Sequence, residues 1–328
     1  MTERASLVGL AAALILVAVW VDVRTPGALL LPPQRPYAEQ GNPAVRLGPA
    51  AYPRTATGAD NVTVTIGTPP RRIVSQYWST DEFLYTIVPP ERIVGVSQTA
   101  HSRASSNVLD EVERFRPIIA TDAEQILRAN PDLVLTPESE STDEPALLRE
   151  AGVPVYRIFT VFETLQSIED HMRLIGYLSG EDARAEAAMA SFRATIARAA
   201  ARRPAGITPP RVLGMAGNYS YGSHTVFNDI LETLGAENLA ASHGFRGYDR
   251  LTDEHIVRWN PDWIFVGADR GQADRVRAEI LARAPIAATS AAAHGRVVVI
   301  ENDVFLPLSP FTARLVDVIS RALYGDGS

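Results

Sequence analysis

Glu124-Gln-Ile-Leu-Arg-Ala-Asn130-Pro-Asp132-Leu-Val134 and Glu254-His-Ile-Val-Arg-Trp-Asn260-Pro-Asp262-Trp-Ile264 are one segment written twice. Both read Glu-x-Ile-apolar-Arg-x-Asn-Pro-Asp-x-apolar, without a gap. The Ile and its apolar neighbour pack a helix on a sheet. Asn-Pro then ends the helix, because the residue before a proline is pushed out of the α region. Asp leads into a buried strand. So many matches at equivalent places imply two similar lobes.

Outward from the two copies the chain has a βα rhythm. In the first half, 72–75, 92–96, 133–135 and 153–158 read as strands, with helices at 80–87, 122–129 and 144–151. In the second half, 211–215, 263–266 and 296–300 read as strands, with helices at 225–234, 253–259, 273–282 and 310–324. Continuously apolar strands that alternate with helices imply parallel sheets covered on both faces. Between the halves, Leu165, Ile168, Met172 and Ile175, then Met189, Phe192 and Ile196, keep helical spacing. Taken as one helix, some ~40 residues at ~1.5 Å each reach ~55 Å. Ser179-Gly-Glu-Asp182 interrupts it as a kink with its own N-cap. The expected fold class is α/β: two Rossmann-like lobes with parallel sheets, joined by a long spine helix. The lobes take 61–163 and 204–328, and the spine 164–203.

Ahead of the lobes, residues 7–21 form an apolar run free of charge, between Arg4 and Asp22. It is longer than many signal cores and a little short of a ~20-residue span. No small-x-small cleavage site follows it. A signal anchor at 1–23 is therefore expected, holding the protein to the membrane on its extracytoplasmic side. Residues 24–60 carry Pro26, Pro32, Pro33, Pro36, Pro43, Pro49 and Pro53 without periodicity, and read as a tether. Alternation at 62–66 suits an edge strand.

At 328 residues the chain exceeds what one core usually serves. A net charge of -7 speaks against a general nucleic-acid binder. The absence of cysteine excludes disulfides, thiolate metal sites, a cysteine nucleophile and a lipidated N-terminal cysteine. No nucleotide-binding glycine fingerprint, nucleophile elbow or zinc-protease motif is present. Gly214-x-x-Gly217 is a fragment of a phosphate turn. Neither an enzyme nor a bound cofactor is expected.

Several short motifs keep a common order: Pro70-Arg-Arg-Ile-Val-Ser75, Thr80-Asp-Glu82, Pro90-Glu-Arg-Ile-Val-Gly-Val96, Asn130-Pro-Asp-Leu-Val134, Ala151-Gly-Val-Pro-Val155 and Gly235-Ala-Glu-Asn238. With them the chain, from about residue 71 to its end, resembles the ABC-importer binding proteins for cobalamin, haem and ferric siderophores. The resemblance implies two rigid lobes and a glutamate on the outer surface of each that docks on arginines of an ABC permease. Glu124 and Glu254 occupy those positions. A local reading competes: Thr121-Asp-Ala-Glu124 is a good capping box. In the second copy Leu251 replaces Thr121, so the glutamate repeats while the box does not. The chain departs from the family in lacking the anchoring cysteine and in its long proline spacer.

Ligands of parallel α/β lobes bind outside the carboxyl ends of the strands. Residues that follow the strands are therefore candidate ligand contacts: Tyr77, Trp78, His101 and Arg103 in the first lobe, Tyr221, His224, Arg246 and Arg270 in the second. Glu138, Glu140, Phe159, Phe245, Tyr248 and Asp269 lie in the same loops. Aromatic faces and guanidinium groups suit a bulky planar or anionic molecule. With the resemblance, that means an iron chelate (siderophore or haem) or a corrinoid, with a neutral histidine available to a metal. Each candidate also has a plain role, Trp78 as cleft floor and the histidines and arginines as solvated surface. His243 and His294 are background. Two other readings stand beside the transport one. A chelatase-like metal or tetrapyrrole enzyme would join His101, His224 and a carboxylate in a metal site. A tethered sensor would pass its signal to a partner, and only Glu124 and Glu254 separate it from a transporter. The docking pair is expected at the opposite ends of the strands from the ligand.

Overall fold

The computed structural model describes residues 47–139 and 143–325. The 1–23 segment, 24–46 of the tether and Glu140 lie outside the described residues.

In the first lobe five strands run parallel in the order Ile118–Ile119, Ile93–Val96, Ile73–Ser75, Leu133–Pro137, Val155–Ile158. The first strand in sequence is thus the middle strand, and the chain winds outward from it in both directions. The second lobe repeats this plan. Arg211–Ala216 lies centrally, parallel to Trp263–Ala268, which is parallel to Val297–Glu301. Glu237–Asn238 also pairs with Arg211–Ala216 in parallel. Here the expectation of a purely parallel sheet fails at one edge. Tyr219–Tyr221 turns back antiparallel on the central strand, and Tyr248–Arg250 is antiparallel to it. Gly217 at φ +58 makes that turn, so the Gly214-x-x-Gly217 fragment is a hairpin rather than a phosphate loop. A Cβ at Gly214 would stand 2.5 Å from the Phe227 ring, which explains that glycine by close packing.

The repeated segment builds the same joint in both lobes. Its helices are Ala123–Arg128 and Asp253–Trp259, and each feeds the strand beside the central one. Asn130 and Asn260 take left-handed backbone, φ +48 and +44. Asparagine tolerates that conformation, so it ends the helix by adopting it, with the proline barring any return to helix. Asp132 accepts the backbone N–H groups of Arg71 and Arg72 at 2.7 and 2.8 Å, and Asp262 accepts that of Arg211 at 3.2 Å. In return the Arg72 side chain donates to the Ala129 and Asn130 carbonyls, and Arg211 to those of Trp259 and Asn260. An arginine at the start of each central strand therefore caps the neighbouring helix.

The connecting stretch is two helices, Leu165–Ser179 and Asp182–Ala200, not one ~55 Å rod. Gly180, at φ +78, ends the first, and the two then pack together. A Cβ on Gly176 would meet that of Ala185 at 2.5 Å. Both helices touch both lobes. Leu165 N–H donates to Asp229 of the second lobe, while His171 packs on Phe83 of the first. Arg184 donates to the Ile87 carbonyl of the first lobe, and Ser320 of the second donates to the Ala199 carbonyl. One hydrophobic core accordingly runs through the inner faces of both sheets and the spine. Smaller cores lie on the outer faces, with Ile126 in one and Ile256 in the other, beneath the repeated helices.

Part of the predicted tether is ordered. Arg54–Thr57 pairs antiparallel with Thr63–Ile66. Arg54 is buried between the Tyr52 and Tyr177 rings, bonds both Asp182 carboxylate oxygens, and donates to the carbonyls of Ala50 and Tyr177. Composition cannot reveal this, because the order comes from contacts more than a hundred residues away. Among the described residues no helix is long and apolar enough to cross a membrane.

Candidate ligand cleft and docking faces

In each sheet the winding reverses between the central strand and the strand fed by the repeated segment, which opens a crevice at the carboxyl ends. From the first lobe, the chain leaving Ile73–Ser75 supplies Tyr77 and Trp78, half-buried, with ring centres 5.9 Å apart. Thr160, Glu138 and, from the second lobe, Tyr248 lie close enough to the Tyr77 hydroxyl to act on it electrostatically. Burial pushes both Tyr77 and Tyr248 up to about 12. Both phenols therefore stay protonated at neutral pH and can donate hydrogen bonds.

A second cluster also joins the lobes. Glu163, in the crossover before the spine, lies 3.3 Å from Nδ1 of His224, and Arg246 Nη2 lies 3.0 Å from its Nε2. A guanidinium can only donate, so in the neutral ring Nε2 would accept and the proton would sit on Nδ1, facing Glu163. The imidazole is thus bracketed by a carboxylate and a guanidinium, with its side chain 40% exposed. Its backbone is left-handed at φ +60, an uncommon conformation for histidine. The crossover is fixed from below by buried His171, whose Nε2 faces the Phe159 carbonyl at 2.7 Å and whose Nδ1 faces that of Ser167 at 2.8 Å. Burial holds this imidazole below the usual histidine range.

Aromatic faces, protonated phenols, an imidazole and an arginine therefore stand on loops that follow the carboxyl ends of strands in two similar lobes. The profile of the periplasmic binding protein family matches residues 73–304. The chain belongs to the periplasmic binding protein family. A cobalamin-binding protein from Halobacterium salinarum is 27% identical over 314 residues, 94% of this chain and 82% of that protein. An uncharacterized ABC transporter substrate-binding lipoprotein from Bacillus subtilis, YvrC, is 25% identical over 301 residues, 88% of this chain and 91% of its own. Among solved structures, the apo periplasmic heme-binding protein RhuT from Roseiflexus sp. RS-1 superposes with a TM-score of 0.63 at 24% identity, covering 77% of this chain and 98% of that one. That likeness carries the fold.

In this substrate-binding protein the other predicted contacts are placed unequally. Tyr221 is 7% exposed, packed on Phe227, Tyr248 and Phe305, and supports Tyr248 from behind instead of reaching the cleft. Phe245 is likewise buried, against His255 and Trp259. Arg103 turns outward to Glu113 at 2.6 Å. Arg270 bonds Asp303 of its own lobe at 2.9 Å and donates to the Arg103 carbonyl of the first at 3.3 Å. His101 is half-buried, with no partner for Nε2 among the described residues. His243 and His294 bond carbonyls of their own helices. Among the described residues no group of three His, Asp or Glu side chains is placed to hold a metal ion, so the site required by a chelatase is not assembled there. A cavity of about 520 Å³ lies away from the strand ends, lined by Thr86, Phe192 and Phe311 among others. Glu163 and Thr160 escaped the sequence reading because the crossover has no periodicity to mark them.

Glu124 and Glu254 are each the second residue of a helix and largely exposed, and each pairs with the arginine four residues on, Arg128 and Arg258. The helix caps are Asp122, which accepts from Gln125 N–H, and Thr252, which accepts from His255 N–H. Thr121 is not the cap, so neither glutamate belongs to a capping box. The expectation that they stand at the far ends of the strands from the ligand is also corrected. The C-terminal ends of these helices are tied to Arg72 and Arg211 at the amino edges of the sheets. Their N-termini therefore point toward the carboxyl edges, the side on which the crevice opens.

Proposed function

We propose that this protein captures a corrinoid or an iron chelate, haem or a ferric siderophore, between its lobes and delivers it to an ABC permease. The observation that carries this is the approach of Tyr77, whose ring lies beside that of Trp78, to Tyr248 of the other lobe, with His224 and Arg246 paired across from Glu163 on the neighbouring loops. Rings of this kind stack on a macrocycle or on catecholates, and the guanidinium pairs with carboxylates or with the charge of a chelate. The cobalamin-binding relative supports the corrinoid member of this class. In this reading the protein carries out no chemistry on its cargo. It works outside the cytoplasm, in keeping with its family and its lipoprotein relative, and the apolar segment at 1–23 ties it to the membrane. Glu124 and Glu254 are the contacts to the permease. Two exposed carboxylates at equivalent places on similar lobes suit a partner that is itself symmetric.

Titration of the protein with haem, cobalamin and a ferric siderophore, read by quenching of tryptophan fluorescence, tests the ligand class. Quenching by one of them with saturable binding is expected, because Trp78 stands at the crevice. Silence toward all three, with tight binding of a free divalent ion, would overturn it.

A further inference from the structure

The loop at 103–107 of the first lobe is gripped by the second. Asn107 Nδ2 donates at 2.8 Å to Glu82 Oε1 of its own lobe and at 2.8 Å to the Asp303 carbonyl across the seam. Its Oδ1 accepts from Arg314 of the second lobe at 2.7 Å. Both ends of one amide are thus occupied, and both reach the other lobe. Alongside, Arg270 N–H donates to the Ala104 carbonyl, its side chain donates to the carbonyls of Arg103 and Ser106, and it bonds Asp303. Ser309 of the second lobe lies near enough to Glu82 to favour its charged form. Glu82 and Asp303 are 3% and 6% exposed, so the carboxylate end of this junction is buried, while the Arg314 and Arg270 side chains reach it from the half-exposed rim.

We propose that Asn107, held between Glu82 and Arg314, fixes the spacing of the two lobes and is therefore a positioning residue for ligand capture. It rests on the reading of the crevice as the binding site. The seam lies beside the crevice, since Asn302–Phe305 follows the carboxyl end of its strand and the 98–107 stretch follows that of Ile93–Val96. A change in lobe spacing therefore changes crevice width. The Asn107 amide suits the task because its donor and acceptor ends need opposite partners, so a sliding of the lobes breaks both bonds together.

The junction also responds to protons. Burial raises the Glu82 carboxyl to about 7, opposed by Ser309, by the hydrogen bond from Asn107 and by the Arg314 charge. Asp81 faces it as a second buried acid, and Asp303 and Arg270 lie beyond Asn107. Parting the lobes hydrates Glu82 and returns its carboxyl toward the ordinary range. The closed junction therefore binds the proton more tightly, and acid favours closure.

The chain has no cysteine, so Leu147→Cys and Val257→Cys, both at exposed sites on opposite lobes, accept a pair of spin labels without interference. The distance between them, measured without ligand, is expected to lengthen or broaden in Asn107→Ala and to stay unchanged in the control Glu113→Ala. In the otherwise native labelled protein the distribution should narrow as pH falls from about 8 to about 5.5, the interval that contains the Glu82 transition. Glu82→Gln should abolish that response. Binding of whichever probe quenches the native protein should weaken roughly five- to tenfold in Asn107→Ala. An unaltered distance in Asn107→Ala overturns the proposal. So does a pH response that survives Glu82→Gln and disappears in Asp81→Asn. If the distance behaves as expected while haem, cobalamin and the siderophore all fail to bind, the ligand reading falls and the junction stands.

Discussion

His224 stands between two charged neighbours, with Arg246 on one ring nitrogen and Glu163 on the other. Replacing it with alanine should remove a ligand contact and leave Arg246 without that acceptor. Trp78→Ala should remove a stacking face. Each is expected to weaken binding of the quenching probe about tenfold or more while the thermal midpoint moves little, since both side chains are only partly buried. Equal affinity in both variants would place the ligand elsewhere. Arg211 should behave in the opposite way. Its side chain caps the repeated helix, so Arg211→Ala should cost roughly 1–3 kcal/mol in denaturant unfolding and leave affinity intact. At this scale the sequence was informative about backbone position, as for Tyr77 and Trp78, which follow the Ile73–Ser75 strand. It misled where a side chain turns away, as with Arg103, or inward, as with Tyr221. Position in the chain places a backbone at the crevice, but rotamer and packing decide where the side chain goes.

The repeated helices and the strands they feed were legible because their code is local: apolar spacing, Asn-Pro and a following Asp. Elements that depend on partners far away were not. Ile118–Ile119 is too short to show alternation, and Arg54–Thr57 is ordered by a clamp to the spine. The spine read as one long helix because its apolar spacing continues past the break. What ends the first helix is Gly180, at φ +78 and with the Tyr52 hydroxyl 2.6 Å from where a Cβ would be. Gly180→Ala should therefore destabilise the protein by about 1 kcal/mol or more, seen as a lower thermal midpoint. An unchanged midpoint would mean that this junction has room to adjust.

On the scale of the whole molecule, the crevice and the two exposed glutamates share one side, so a permease engaged by the glutamates faces the mouth through which the ligand leaves. Glu124→Lys combined with Glu254→Lys is expected to abolish uptake in cells while purified protein keeps its ligand affinity. Normal uptake by the double variant would remove the docking role. Stability should also depend on pH in a particular direction. Burial raises Asp81 to about 8 and Glu82 to about 7, so the folded chain keeps protons that the unfolded chain releases at ordinary carboxylate values. These two groups therefore contribute stability that is lost as pH rises from about 5 toward 8. The thermal midpoint should fall over that interval, and Asp81→Asn should flatten the slope. A midpoint that rises instead would contradict the sign.

The bond between Arg54 and Asp182 closes a ring of chain around the entire first lobe, joining positions 128 residues apart. That stretch, the lobe together with the first spine helix, thus begins and finishes at one spot. Neighbouring ends of this kind are what circular permutation and domain transplantation require. The first lobe can be treated as a cassette, cut at a surface loop and rejoined at the clamp, or exchanged for that of a relative with a different cargo. The faces it presents to the second lobe and to the spine would then be the surfaces that have to be matched.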